Sequence, residues 1–249
     1  VFNSVEGNTT FYSTPDSATV KKWGEQTPKG FKFCFKFPKE ITHIKRLHNV
    51  EEDTIKFLDR LDPIRDKCGP FMIQFPDTFA PGELDKLENM LSVLPKTMSY
   101  AVEVRHPDFY DHGKHEHSLN TLLESYSVDR VIFDTRRLHA SKSNEASIRA
   151  AQKKKPKVPV RFDVLGSRPM LRFVGTNDVI NNEAYLKEWA IIVADWIKEG
   201  HHPYVFIHSP DKVSQPALCT HFHKLLSELI GLDPLPEWPA KREQQLGLF

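Results

Sequence analysis

Long apolar runs are missing from this 249-residue chain. No stretch approaches the ~20 residues a bilayer-spanning helix requires, and no secretory leader is visible, so neither a membrane span nor membrane contact is expected. Cysteine is scarce. Cys34, Cys68 and Cys219 are widely spaced, odd in number and form no CxxC pair. That excludes a disulfide framework and a cysteine zinc site, and it fits a reducing cytoplasm. An excess of one charge is absent as well: 34 Lys and Arg stand against 33 Asp and Glu. No global basic surface announces nucleic acid, so any such contact would need a local patch. What remains is ordinary for a folded domain, with 39% hydrophobic and 27% charged residues and therefore a sizeable core. The sequence opens at Val1, without a methionine and inside a strand-like run, and we expect a further N-terminal piece before it.

Two periodicities alternate along the chain. Strands are expected at 1–6, 31–37, 71–75, 100–105, 131–134, 170–175 and 204–208, each closed by polar residues, Pro or Gly. Helical spacing follows each: a helix starting near Thr14-Pro15-Asp16, then 51–66, the Leu84–Leu94 stretch, a helix bearing Leu119, Leu122, Leu123 and Tyr126 after a long loop over 107–116, about 144–154, 183–199, and a last one carrying Phe222, Leu225, Leu226 and Leu229. Residues 156–169 fit neither period. Strand–helix alternation implies parallel strands with right-handed crossovers. The expected fold is α/β, a TIM-type (β/α)₈ barrel lacking its first βα unit in this chain, with an open doubly wound sheet as the alternative. The barrel domain is read as 1–230, and 231–249 as a Pro-rich polar tail.

The segment Tyr100–His106 ties this fold to chemistry. Ala101, Glu103 and Arg105 share one face of a strand whose other face is Val102 and Val104. Charged groups on such a strand need a wet or paired environment, and the C-terminal mouth of a barrel supplies one. The same alternation phase brings Glu6, Lys36, Gln74, Asp134, Arg172 and His208 to that mouth, with Ile132 inward beside Asp134.

Several of these residues lie in motifs that resemble the YecE-like family, a domain of unknown function. They are Phe2-Asn3-Ser4-Val5-Glu6-Gly7-Asn8-Thr9-Thr10-Phe11-Tyr12, Phe33-Cys34-Phe35-Lys36-Phe37-Pro38 with Ile41-Thr42-His43, Gly69-Pro70 with Gln74-Phe75-Pro76, Val102-Glu103-Val104-Arg105-His106 and, less specifically, Arg172-Phe173-Val174-Gly175. The resemblance runs from Val1 to about residue 230. It implies a TIM-type barrel with one more strand ahead of Phe2, and it supplies no reaction.

The residues themselves point first to an enzyme acting on a small anionic molecule, a hydrolase or lyase by reaction class. Lys36, Gln74, Arg105 and Arg172, with Asn8, would bind the substrate; Glu103, Glu6, Asp134 and His208 would carry acid/base chemistry. The bland alternative is a structural ion network beneath the mouth. A metal-dependent hydrolase or isomerase using Glu6, Glu103, Asp134 and His208 ranks lower, because the interleaved cations already neutralise those acids; no metal or other cofactor is assigned. The histidines of the 106–117 loop match no metal spacing. Two basic loops, Lys39/His43/Lys45/Arg46/His48 and Arg136/Arg137/His139/Lys142, would form a rim for nucleic-acid phosphate.

Cys34, Cys68 and Cys219 are read as structural, and Trp189 and Trp196 as core. The tail ends Gln245-Leu246-Gly247-Leu248-Phe249, similar to the Gln-Leu-x-Leu-Phe peptide by which bacterial replication and repair proteins bind the polymerase sliding clamp. Gln245, Leu246, Leu248 and Phe249 would be the anchors. A non-catalytic nucleic-acid or clamp adaptor is the corresponding alternative function.

Overall fold

The computed structural model describes residues 1–237. Seven strands run parallel: β1 (Ser4–Gly7), β2 (Lys32–Phe35), β3 (Phe71–Gln74), β4 (Tyr100–Glu103), β5 (Asp129–Asp134), β6 (Met170–Val174) and β7 (Tyr204–His208). β1 pairs with β2, and β3 to β7 pair in sequence order. Bridges at Phe33–Cys68 and Lys36–Met72 join the two groups. There Gly69 N–H donates to the Phe33 carbonyl at 2.8 Å and Phe37 N–H to that of Met72 at 2.9 Å.

The sheet is strongly curled. In a flat sheet, β1 and β6 would lie roughly 24 Å apart at ~4.8 Å per strand, beyond side-chain reach. Here Arg172 of β6 bonds Glu6 of β1 directly. The concave side is filled at its base by Cys34, Met72, Ala101, Val131, Met170 and Phe206, one from each of β2 to β7. The closed eight-stranded barrel is not what the described residues show. β1 and β7 share no ladder there: Glu6 and His208 meet through side chains, and a cavity of about 990 Å³ lies alongside, walled by Phe2, Val5, Val205, Phe206, Phe222 and Leu226.

The helices are α1 (Thr9–Tyr12), α2 (Ser17–Gln26), α3 (Glu51–Leu61), α4 (Leu84–Val93), α5 (Lys114–Ser125), α6 (Arg136–Ala140), α7 (Ala146–Lys154), α8 (Val179–Lys198) and α9 (Gln215–Ile230). Local chemistry sets their ends. The Asp16 side chain accepts the Thr19 N–H at 2.7 Å and starts α2. Pro63 splits the expected 51–66 helix into α3 and a 3₁₀ turn, since it lacks the N–H that a continuing helix needs. The buried face of α3 is Thr54, Phe57, Leu58 and Leu61, with Ile55 outside. Gly231 ends α9 at φ +68°, where a Cβ would be strained. Under β2 and β3 the core is aromatic: Trp23 stacks on Phe33 and Phe35, and Phe37 meets Phe57 and Phe71. Each such ring contributes about 2 kcal/mol by leaving water.

The connection from β5 to β6 departs from simple alternation. α6 follows directly on the C-terminal end of β5, and α7 flanks the cavity; residues 155–169 then return without helix or strand. Arg161 anchors that return by donating to Glu116 and to the Tyr110 carbonyl, and Phe162 packs on Trp189 with ring centroids 5.3 Å apart.

Candidate functional site

The residues that β1, β2, β3, β4, β6 and β7 bring to the C-terminal mouth form one network. Arg172 lies at its centre, 2% exposed. Its Nε and Nη2 donate to the two oxygens of Glu6 at 2.7 and 2.9 Å, and its Nη1 donates to Glu103 Oε2. The other Glu103 oxygen accepts from Arg105 Nε and Nη2 at 2.9 and 2.7 Å. Lys36 Nζ donates to Gln74 Oε1 at 3.0 Å and pairs with Glu6 at 3.5 Å. His208 Nε2 lies 3.2 Å from Glu6 Oε2. The Phe133 ring is flanked by the guanidiniums of Arg105 and Arg172, 5.8 and 5.3 Å from its centroid. Thr10 Oγ1 donates to the Lys36 and Gly7 carbonyls, tying the chain after β1 to the end of β2.

The strand register explains who meets whom. Gln74 is the Cα partner of Glu103 on β3 and β4, and Arg172 is that of Phe133 on β6 and β5. Val131 pairs with Met170, both in the concave cluster, so Phe133 points inward as well. Asp134 and Ile132 therefore face the helices, and the inward placement expected for them is corrected. Asp134 accepts the indole N–H of Trp189 at 2.7 Å and binds Arg136 through both oxygens. The physical reason is that Val131, Ile132 and Phe133 are all apolar, and the carboxylate finds its donors on α8 and α6. Asn8 is exposed on the rim of the cavity beside Glu6 and makes no side-chain cap.

Burial and charge compete at every titratable group. Burial would raise the Glu103 carboxyl, yet Arg172, Arg105 and Lys36 bring it down to about 2. Glu6 is likewise opposed by burial and held well below the carboxylate range by Arg172, His208 and Lys36. Burial and then Arg172 pull Lys36 down to about 8, against Glu6 and Glu103. His208 is lowered chiefly by burial, against the pull of Glu6. Both Glu103 and Glu6 are thus ionised with their oxygens committed to cations. In this geometry they anchor the cations of the network.

Two residues enter from outside the strands. His43, in the turn after β2, is pushed to about 4 by burial and by Arg105 and Lys36. Its Nδ1 is 2.9 Å from Thr42 Oγ1, and its ring meets Phe11 edge-on at 5.0 Å. Lys155, at the end of α7, lines the cavity with Glu6 and His208. The sequence marks His43 by a basic loop and by the Ile41-Thr42-His43 motif; nothing in the strand alternation marks either residue.

Among the described residues no group of three or more His, Cys, Asp or Glu is arranged to hold a metal ion. The expected metal set is dispersed, with Asp134 on the other face of the sheet and the glutamates bonded to guanidiniums. Three cations of the basic rim are paired with acids of this chain: Lys45 with Asp53, Arg46 with Glu83, and Arg136 with Asp134 and Glu188. The thiols of Cys68 and Cys219 are raised by burial to about 12 and about 11, and burial likewise holds that of Cys34 well above its ordinary range. Trp189 and Trp196 are buried in the core that α8 makes with β6, β7 and α9. No helix among the described residues is long and apolar enough to cross a membrane. Gln245, Leu246, Leu248 and Phe249 lie outside the described residues.

Comparison with known proteins agrees with this architecture. The family described as "Protein of unknown function DUF72" matches residues 1–242. The chain is 40% identical over 249 residues to the UPF0759 protein YecE of Escherichia coli, covering all of this chain and 90% of that protein. Crystal structures of DUF72 proteins from Enterococcus faecalis and Thermotoga maritima share the fold. The first has a TM-score of 0.71 at 17% identity, over 95% of this chain and 88% of that one. The second has a TM-score of 0.67 at 21% identity, over 91% and 85%. A curled parallel sheet with a charged mouth, matched in fold by these structures and in sequence along nearly its whole length, places the chain in the DUF72 family, whose function is not known.

Proposed function

We propose that this protein is an enzyme that binds a small anionic substrate at the mouth of the curled sheet and moves a proton on it. The observation that carries this reading is the charge balance of the buried network. Arg172, Arg105 and Lys36 face only Glu6 and Glu103, which leaves one cation uncompensated in a site shielded from water. Uncompensated buried charge is costly, and a bound carboxylate or phosphate would relieve it. Donors remain for such a ligand: among the described residues Arg105 Nη1 has no hydrogen-bond partner, and Lys36 uses Nζ only toward Gln74 and Glu6.

His208 and His43 carry the proton. Both imidazoles are held below their ordinary range, so they are neutral near pH 7 and free to accept. Ionised Glu6 keeps the His208 proton on Nε2, leaving Nδ1 as acceptor. The site lies where (β/α)₈ enzymes hold their substrates, and the reading takes the curled sheet as a barrel of that type working in the cytoplasm. The test is thermal stabilisation by millimolar carboxylates and phosphates, followed by turnover assays on the binders. Lys36→Met and Arg105→Met should lose the stabilisation, and His208→Asn should bind without turnover. Failure of the intact protein to respond to any anion would leave a structural ion network.

The tail supports a separate proposal from sequence alone. Gln245, Leu246, Leu248 and Phe249 would dock in the peptide groove of a bacterial DNA polymerase sliding clamp, linking the barrel to DNA metabolism. Titration of clamp with the intact protein and with one lacking residues 245–249 decides it. Equal affinity of the two, or none, removes the partner.

A further inference from the structure

Lys155 is held in place by its backbone. Its N–H donates to the Ala151 carbonyl at 2.8 Å, closing α7, and Pro156 prevents the helix from continuing. The Pro156 carbonyl accepts the hydroxyl of buried Thr135 at 3.0 Å, which fastens the turn to the end of β5. From this fixed origin the half-buried side chain reaches the cavity wall shared with Glu6, Asn8, His208 and Ser209. No hydrogen bond or ion pair engages its ammonium among the described residues. Asp211, whose carboxylate accepts from the Ser209 and Ser214 hydroxyls, does not line this cavity. The charges that act on Lys155 most are those of Arg172, Glu6, Glu103 and Arg105, so it belongs electrostatically to the mouth, and burial together with Arg172 lowers its pKa.

Lys155 lines the cavity beside Glu6, which Lys36 and Arg172 also bind, and Arg105 lies one carboxylate further, on Glu103. Counting Lys155, four buried or half-buried cations share two carboxylates, with exposed Lys154 and Lys212 adding positive charge at the cavity wall, and the mouth is short of at least two negative charges rather than one. A carboxylate supplies one. A phosphomonoester supplies close to two above its second pKa of about 6 and offers three acceptor oxygens. A phosphodiester, as in a nucleic-acid backbone, supplies one. We propose that Lys155 is a substrate-binding residue which, with Lys36 and Arg105, makes this a site for the dianionic head of a phosphomonoester. The inference rests on the anion-site reading above and narrows it to one chemical class.

The probes are methyl phosphate and dimethyl phosphate, titrated calorimetrically into the full chain at pH 7.5. Methyl phosphate should bind at least tenfold tighter than the diester. Lys155→Met should weaken methyl phosphate about tenfold or more, as loss of one charge-assisted hydrogen bond does, while changing the diester less than threefold. Lys155→Arg, which keeps the charge, should stay within about threefold of the parent and guards against misfolding as the explanation. If Lys155→Met binds methyl phosphate as the parent does while Lys36→Met does not bind it, the role of Lys155 is overturned and the anion site stands. If the diester binds as tightly as the monoester, the dianion class is overturned. If the intact protein binds neither probe, both this inference and the reading beneath it fall.

Discussion

Arg172 and Glu6 are separated by 166 positions in the chain, yet two nitrogens of the one donate to two oxygens of the other at 2.7 and 2.9 Å. This fork spans β6 and β1 on the side of the sheet where, among the described residues, no ladder joins β1 to β7, and it ties the first strand directly to the last but one.

Breaking that tie should be costly. Arg172→Met leaves two buried carboxylates facing one another without their shared cation, and the expected loss is about 3–5 kcal/mol. Urea denaturation of the variant checks it. A loss below about 1 kcal/mol would show that Arg105 and Lys36 suffice to hold Glu6 and Glu103.

Asp134 and Trp189 should prove to be architecture. Trp189→Phe removes the indole donor from a fully buried carboxylate that Arg136 still partners, and should cost about 1–3 kcal/mol while leaving anion binding within twofold. Loss of anion binding with full stability would return Asp134 to the site.

Acid should unfold the protein in two stages. His43 is held at about 4 against 6.5 in an unfolded chain. Between those values the unfolded state takes up a proton that the folded state refuses, so stability falls as pH drops through this window, and His208 adds in the same direction. Glu103 works in the next window: its stabilisation is complete above its unfolded value of 4.5 and disappears as pH falls through about 2. Urea midpoints measured from pH 8 to 3 should show a plateau, a first decline and a steeper second one. His43→Gln should flatten only the first; an unchanged slope there would assign it to another group.

Anion affinity should weaken on the alkaline side. Lys36 titrates at about 8, and a neutral amine no longer attracts an anion. Phosphate affinity measured from pH 7 to 9.5 should bend downward near 8 and lose about tenfold per unit beyond it if one proton is required. Lys36→Arg should remove the bend, since a guanidinium stays charged throughout.

Alternation was a sufficient guide wherever a strand had one polar and one apolar phase. Lys36, Gln74, Glu103, Arg105, Arg172 and His208 were all legible that way, because their neighbours on the opposite face are aromatic or aliphatic. It failed at β5, where Val131, Ile132 and Phe133 give no contrast and Asp134 alone decided the phase wrongly. Its donors, Trp189 and Arg136, come from other elements, and no periodicity reports them. Lys155 and His43 were illegible as site residues for a related reason. They reach the mouth from connections, where side-chain direction follows tertiary packing and not a repeat. The curl of the sheet could be expected from seven βα units, whereas the state of its closing edge could not.

The charged mouth also bears on how the chain finds its fold. Side chains on a strand change face at every residue, so slipping β4 by one position would turn Glu103 and Arg105 into the helix layer and present Val102 and Val104 to Arg172. Such a slip would carry two ionised groups, Glu103 and Arg105, out of the mouth at once and part Glu103 from Arg172, whereas an all-apolar strand would tolerate it. The groups that await a ligand in the finished protein therefore serve, during assembly, as a parity check on strand alignment.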